Sequence, residues 1–444
     1  MGTYARFAAD ATGASAAMPA ALPKGVRPLR ILIHGLNFWP DLTGVAKYTF
    51  EMAEWLVRRG HEVFVVTAPP HYPAWEIGAG YRSRRFAREI VSGIGVLRCP
   101  LYVPKRQTVS RRVAHALSFG ASSLAATLYR GSRWRPDLVW TVAPSIIAAA
   151  TALSAARLAG VPAWLHVQDL EAEAAFALGL AGGTMLKRMA VGLESRFIRQ
   201  FDRVSTISGP MLRRVIERGC EPDRVTLVPN WVDLALVRPM ARPSRFRDEL
   251  GLAEEDVIAL YSGNMGYKQG LPIILEAAER LSGNRKLHFV IAGEGSARPG
   301  LEAAARHLPN VRFLPLQPLE RLPELLSAAD IHLLPQLAGA ADLVLPSKLS
   351  GMMASGRPVI ATAEPHTGLA QQTSPNGIVT PPGEAGPFAA AIAALAGDRD
   401  LRERLGRIAR ERAARQWDRE LVLSGLERDF LLLAERNARP PRGP

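Results

Sequence analysis

Cysteine is scarce. Only Cys99 and Cys220 occur in 444 residues, which excludes a disulfide scaffold and a cysteine-rich zinc site and fits a reducing cytosol. No uninterrupted membrane-length apolar run is present either. The most apolar stretch, Leu138 to Leu165, is broken by Pro144, Arg157 and Gly160-Val161-Pro162; strand, helix and strand account for those breaks, and a span accounts for none. Residues 1–29 are rich in Ala, Gly and Pro and carry no leucine-rich signal core, so they read as a disordered extension, as does the tail 437–444. The 38 Gly and 34 Pro are too few for a collagen-like or wholly disordered chain. Missing too are G-x-G-x-x-G after the first strand, a P-loop, G-x-S-x-G and H-E-x-x-H, which removes the main support for a dehydrogenase, an NTPase, an α/β-hydrolase or a zincin.

Acidic residues are few in one half only. The chain carries 55 Lys/Arg against 41 Asp/Glu, a net charge of +14. Up to Pro229 there are 29 basic and 16 acidic residues; beyond it, 26 and 25. Arg82 to Arg135 holds twelve basic residues and a single acid, Glu89. A biased composition would raise both halves, so this points to an anionic partner: phosphates on lipid, nucleic acid or nucleotide.

The length suggests two domains. Leu29 to Ile33 reads as a buried strand, Val45 to Arg58 as an amphipathic helix ended by Gly60, and Glu62 to Thr67 as the next strand. That βαβ unit implies a parallel sheet, and the alternation recurs through Ile207. A second series runs from Val257 to Thr362, and three helices finish the chain. The expected fold class is therefore α/β, with two doubly wound Rossmann-like domains facing an interdomain cleft. The divisions are 30–229, 230–415 and 416–436, the last a helix packing back on the first domain. Ligands of such sheets bind beyond the carboxyl ends of the strands.

Several blocks then carry a resemblance: GLNFWPDLTG at Gly35 to Gly44, LHVQDLEAEAAFALGL at Leu165 to Leu180, PNWVD at Pro229 to Asp233, YSGNMGYKQGL at Tyr261 to Leu271 and ADLVLPSKLSGMMASGRPVIATAE at Ala341 to Glu364. In this order the chain, from Leu29 to Leu433, resembles the colanic-acid biosynthesis glycosyltransferases, often described as fucosyltransferases, within glycosyltransferase family 4. The resemblance implies a GT-B fold, retaining transfer from a nucleotide-sugar co-substrate (GDP-fucose weakly favoured), no cofactor and no obligatory metal.

A departing diphosphate must be neutralised. Lys268, in the turn that includes Gly263 and Asn264, and Lys348, after Leu345-Pro346-Ser347, both stand at predicted helix starts, where free N–H groups and the helix dipole favour anions. Relatives often have an arginine at the Asn264 position, so Lys348 is expected to compensate. Gly293-Glu294-Gly295 is the expected loop beside base or ribose, and Thr43-Gly44 the donor-facing loop of the first domain. The paired glutamates of many relatives fall at Leu343 and Gly351, neither acidic; Asp342 is the candidate for sugar hydroxyls. Acceptor chemistry is expected at His166, Asp169 and Glu173, just past a strand. Either one of these takes the acceptor proton or an oxygen of the departing phosphate does.

Thr108 to Arg130 reads as a basic amphipathic helix, with Val109, Val113, Leu117, Gly120, Leu124 and Leu128 on one side and Arg111, Arg112 and His115 away from it. With Arg82, Arg84, Arg85, Arg88, Lys105 and Arg106 it suggests peripheral binding to the anionic inner face of the cytoplasmic membrane. There an undecaprenyl-diphosphate-linked glycan would be the acceptor. Aromatics in this region are too scattered for nucleic-acid stacking, so no nucleic-acid partner is expected. A GT-B-fold sugar-nucleotide epimerase and a non-catalytic assembly subunit are the alternatives.

Overall fold

The computed structural model describes residues 22–23, 25–41, 44–106, 108–143, 146–169, 184–240, 244–318, 320–338 and 345–437. They form two compact units, one of Met1–Val228 with Leu423–Pro444 and one of Pro229–Val422.

The first unit runs β1 (Arg30–His34), α1 (Val45–Arg59), β2 (Glu62–Thr67), β3 (Ala87–Val91), β4 (Ile94–Arg98), α2 (Val109–Trp134), β5 (Leu138–Ala143), α3 (Ile146–Ala159), β6 (Ala163–Val167), α4 (Thr184–Ile198), β7 (Arg203–Thr206), α5 (Gly209–Glu217) and β8 (Val225–Leu227). The sheet order is β3-β4-β2-β1-β5-β6-β7-β8, parallel throughout except for the β3/β4 hairpin. Its central strands are apolar on both faces because helices cover both: Ile31, Leu32 and Ile33 are fully buried. The hairpin, absent from the expected elements, turns at Ser92 and Gly93, both at positive φ (49° and 80°), the two-residue arrangement that suits strand twist.

Residue 29 is not the end of an extension: Leu29 is buried and its N–H donates to His61 Nδ1 at 3.0 Å, while Arg27 pairs with Asp137. On α2 the expected stripe is exposed at Val113, Leu117 and Leu124, whereas Gly120, expected on it, is buried and His115, expected with the outer arginines, turns inward. His115, Phe119, Gly120, Ser123 and Thr127 face inward; Val113, Leu117 and Leu124 lie 46%, 52% and 40% exposed. The inner face is small because α2 packs closely on Ala-rich α3. A Cβ on Gly131 would stand 3.2 Å from the Ala155 carbonyl oxygen. Three inward side chains bond to neighbours: His115 Nδ1 to the Tyr102 carbonyl at 2.6 Å, Ser123 Oγ to His34 Nε2 at 3.0 Å, and Thr127 Oγ1 to the Ser123 carbonyl at 2.7 Å.

The second unit runs α6 (Arg245–Glu249), β9 (Val257–Ser262), α7 (Pro272–Arg280), β10 (Leu287–Ala292), α8 (Arg298–Ala304), β11 (Val311–Leu314), α9 (Leu322–Ala328), β12 (Ile331–Leu334), α10 (Lys348–Ala354), β13 (Val359–Thr362), α11 (Gly368–Thr373), β14 (Gly377–Thr380), α12 (Ala385–Gly397) and α13 (Arg399–Trp417). Its all-parallel sheet has the order β11-β10-β9-β12-β13-β14. Alternate residues feed opposite cores: Val257, Ala259 and Tyr261 of β9 on one face, Ile258 and Leu260 on the other. A buried ion pair, Arg247 with Asp330, fixes α6 to the sheet, and Asp330 Oδ2 also accepts the Ile258 N–H at 2.9 Å. The last helix, α14 (Arg419–Arg436), packs with the first unit from Leu423 onward. There Phe430 meets Trp140 and Trp164 edge-on at 5.3 and 5.1 Å, and Glu427 accepts from Arg59 at 2.6 Å and pairs with His61 at 2.9 Å.

Candidate functional site

In the second sheet, chain order reverses between β9 and β12, the switch point at which open parallel sheets form a ligand crevice beyond the carboxyl ends of their strands. Residues 263–270 follow β9. Tyr267–Gln269 make one 3₁₀ turn before α7. The loops after β9 and β10 are clasped by backbone hydrogen bonds: Gly263 N to Ala292 O at 2.9 Å, Met265 N to Glu294 O at 2.8 Å and Ala297 N to Met265 O at 2.9 Å. Gly293 has φ 144°, and a Cβ there would overlap the Gly263 carbonyl; only glycine permits this approach. Arg298, on the first turn of α8, reaches back to the Gly293 carbonyl at 2.6 Å and to Glu294 Oε1 at 2.7 Å.

Lys348 enters this crevice from the start of α10. Its Nζ donates to Tyr261 Oη at 2.8 Å and to Gln269 Oε1 at 3.4 Å, and lies 4.3 Å from the centre of the Tyr261 ring. A Cβ on Gly263 would stand 3.1 Å from the same Nζ. Burial pushes the ammonium down to about 7 and pushes the Tyr261 phenol up. The neutral phenol therefore keeps its proton, donates a hydrogen bond to the Asn264 carbonyl at 2.6 Å and accepts one from Lys348. Across the crevice, Thr362 Oγ1 accepts from Gln336 N and donates to Gln336 O, both at 2.7 Å, which pins the loop after β12.

Of the expected donor residues, the structure thus gathers Gly263, Asn264, Gly293, Glu294, Gly295 and Lys348. Asn264 is exposed, and Glu294 is committed to Arg298. Leu345, Pro346 and Ser347 lead directly into α10. Lys268 sits in the 3₁₀ turn, but its side chain, like all of Thr43 and Asp342, lies outside the described residues. Gly44 caps α1 with φ 58°. Tyr261, Gln269 and Arg298 were not anticipated. A tyrosine one residue from a strand's carboxyl end was the available signal for the first; the others reach the crevice through tertiary contacts that spacing does not reveal.

On the first unit, His166 is buried within β6. Its ring stacks on Trp140 at 5.2 Å. Nδ1 lies 2.8 Å from Ser205 Oγ and Nε2 2.8 Å from Gln168 Nε2. Gln168 has only donor hydrogens at that nitrogen, so His166 Nε2 accepts and Nδ1 carries the proton. Burial holds the imidazole down to about 3, so it is neutral at ordinary pH. Both nitrogens are occupied: it orients Gln168 and offers neither nitrogen to a substrate. Asp169 is half-buried immediately after β6; Glu173 lies outside the described residues. Asp41, beyond β1, is a further buried acid. Burial raises it to about 6, although Asn37 and the His71 and Tyr72 amides bond to it.

Comparison with known proteins fits this geometry. Residues 43–231 match the glycosyl transferase 4-like domain, and residues 244–412 match glycosyl transferases group 1. The putative colanic acid biosynthesis glycosyl transferase WcaI of Escherichia coli strain K12 is 41% identical over 406 residues, covering 89% of this chain and 98% of that one. The chain belongs to the colanic-acid-type glycosyltransferases of family 4. It is a glycosyltransferase with the two Rossmann-like domains of the GT-B class. Sucrose-phosphate synthase from Thermosynechococcus elongatus has the same fold at 17% identity, with TM-score 0.71 over 92% of this chain and all of that one (100%). So does Anabaena Alr3699/HepE in complex with UDP, at 17% identity, TM-score 0.67, covering 90% and 99%. In this glycosyltransferase no helix among the described residues is long and apolar enough to cross a membrane. The eight expected surface cations, Arg82, Arg84, Arg85, Arg88, Lys105, Arg106, Arg111 and Arg112, are all exposed.

Proposed function

We propose that this glycosyltransferase moves a sugar, with GDP-fucose the favoured donor, onto a lipid-linked oligosaccharide during exopolysaccharide assembly, with retention and without an obligatory metal. The observation that carries the donor half is the β9/β12 switch point, where one half-buried ammonium, Lys348, meets a glycine-lined backbone clasp. In the proposed reaction the bond from the sugar's anomeric carbon to the phosphate oxygen breaks, and its electron pair leaves with the nucleoside diphosphate. The acceptor hydroxyl oxygen attacks from the same face, and its proton passes to the departing phosphate oxygen. Lys348 and the loop N–H groups oppose the charge that develops. His166 has no proton-transfer part in this scheme; it fixes Gln168 beside Asp169. HepE, a member of the same fold class, was solved with UDP, which supports a nucleotide-sugar donor here.

The acceptor half is supported by the surface of the first unit. Eight exposed cations, the outward stripe of α2 and the exposed Phe86 and Ile90 of the hairpin region (56% and 81%) suit an anionic bilayer, which attracts each nearby cation by about 1 kcal/mol. A panel of GDP- and UDP-sugars tests the reading, first by thermal shift and then by transfer into a membrane extract. Stabilisation by one nucleoside diphosphate and incorporation of its sugar are expected, with both lost in Lys268→Ala. An unchanged melting point across the panel counts against the donor assignment. Conversion of a donor to its epimer without acceptor would make it an epimerase.

A further inference from the structure

A cavity of about 950 Å³ opens in the first unit among the segments leaving the carboxyl ends of β2 and β4. Trp75, Glu76, Arg84, Leu101, Tyr102 and Lys105 line it, and two serines of α2 close one wall. That volume is near the upper end for small-molecule sites. The wall is rigid: Ser118 Oγ accepts the Tyr102 N–H at 3.0 Å, and Ser122 Oγ donates to the Pro100 carbonyl at 2.6 Å.

Three further observations define what fits. Trp75 holds φ 56°, an outlier for a bulky side chain that persists only where surroundings over-determine it. Its ring is boxed by His115 at 5.1 Å and His71 at 6.2 Å, with the Arg112 guanidinium 5.4 Å over it. Arg84 and Lys105 are exposed, and among the described residues neither forms an ion pair; Arg98, by contrast, is buried and committed to Glu89. Finally, the α2 serines stand one position from outward Leu117 and Ala121, and Tyr102 is 46% exposed. The serine wall of the pocket thus lies about 100° around α2 from the apolar stripe Val113–Leu117–Leu124. Polar head and apolar tail are provided side by side.

We propose that this pocket seats the sugar-diphosphate end of a polyprenyl-linked acceptor, with Arg84 and Lys105 on the diphosphate, the Trp75 and Tyr102 rings against sugar, and the prenyl chain along the outer face of α2. The assignment rests on the glycosyltransferase reading above and names its acceptor subsite.

Geranylgeranyl diphosphate is the soluble probe, geranylgeraniol its uncharged control, and phosphatidylcholine vesicles with phosphatidylglycerol the source of anionic charge without diphosphate. The full chain is compared with Arg84→Ala/Lys105→Ala and with Ser122→Trp, which fills the cavity. The expected result is diphosphate binding that weakens at least tenfold in the double variant and is lost in S122W, with nucleoside diphosphate binding unchanged in both. Binding of the alcohol as tight as that of the diphosphate would overturn the assignment. So would variants that lose vesicle association while binding the diphosphate normally, which would make these cations a membrane contact only. Should S122W not fold, the surface double variant decides alone. A chain that binds the probe but no nucleotide fails the donor reading and not the pocket.

Discussion

Lys348 shows how one residue acquires a pH response from its surroundings. Burial lowers its ammonium to about 7, far below the ordinary lysine value of about 10.4. Lowering means that the native state disfavours the charged form, so this residue costs stability increasingly as pH falls toward 7 and nothing above its unfolded pKa. A bound diphosphate reverses the preference. Nucleoside diphosphate binding should take up a proton near pH 8, seen as a dependence of calorimetric heat on buffer ionisation, and should weaken as pH rises above about 7. In Lys348→Met both effects should vanish; an unchanged proton uptake would place the titration elsewhere. Gly293→Ala drives a methyl into the Gly263 carbonyl, so donor-induced stabilisation should be lost even if the variant folds. Lys348 was legible in the sequence because a cation at a helix start after a proline suggests an anion site. Its environment was not, since Tyr261 and Gln269 stand 87 and 79 positions away. His166 likewise read as a strand-end histidine; that its two nitrogens are spent depends on Ser205, 39 residues on.

At the scale of elements, periodicity located α2 and its apolar stripe but not the inward turn of His115 and Gly120. The ordinary rule seats the apolar stripe in the core. Here close packing on α3 selects small residues, while internal hydrogen bonds accommodate His115 and Ser123, and the larger apolar groups are left outside. Leu117→Glu and Leu124→Glu should consequently alter stability by within about 0.5 kcal/mol, as surface substitutions do. The same changes should reduce flotation with phosphatidylglycerol-containing vesicles. Loss of several kcal/mol in a denaturant titration would show the stripe to be core after all. The two parallel sheets were legible because strands covered on both faces read as continuous apolar runs. The β3/β4 hairpin was missed although Ser92-Gly93 is a turn pair; the strand Ala87–Val91 alternates weakly and Ile90 lies outside at 81% exposure.

For the whole molecule, the last helix governs how much of the chain the first unit needs. Phe430→Ala should cost about 3–5 kcal/mol, as for other large aromatic deletions from cores, because two tryptophans lose their partner. Glu427 adds a pH effect. Burial alone would raise its carboxyl, but hydrogen bonds from His61 and Arg59 outweigh that and hold it below the usual value. A lowered acid stabilises above its unfolded pKa and stops doing so as pH falls through the folded one. Melting of the wild type should therefore decline more steeply below about pH 4.5 than that of Glu427→Gln, and parallel curves would deny the linkage.

The crossing point of the chain has a practical consequence. Val232 N–H donates to the Trp417 carbonyl at 2.8 Å, the Arg419 N–H returns to Val232 O at 3.1 Å, and Arg419 pairs with Asp233 at 2.8 Å. The polypeptide thus enters and leaves its second unit through two segments joined at a single bridge, Val232 with Asp418, as an insertion enters a host at a single locus. Residues 229–422 form one continuous cassette with adjoining ends. Exchanging that cassette between relatives should carry sugar preference with it and leave the recipient's acceptor unchanged.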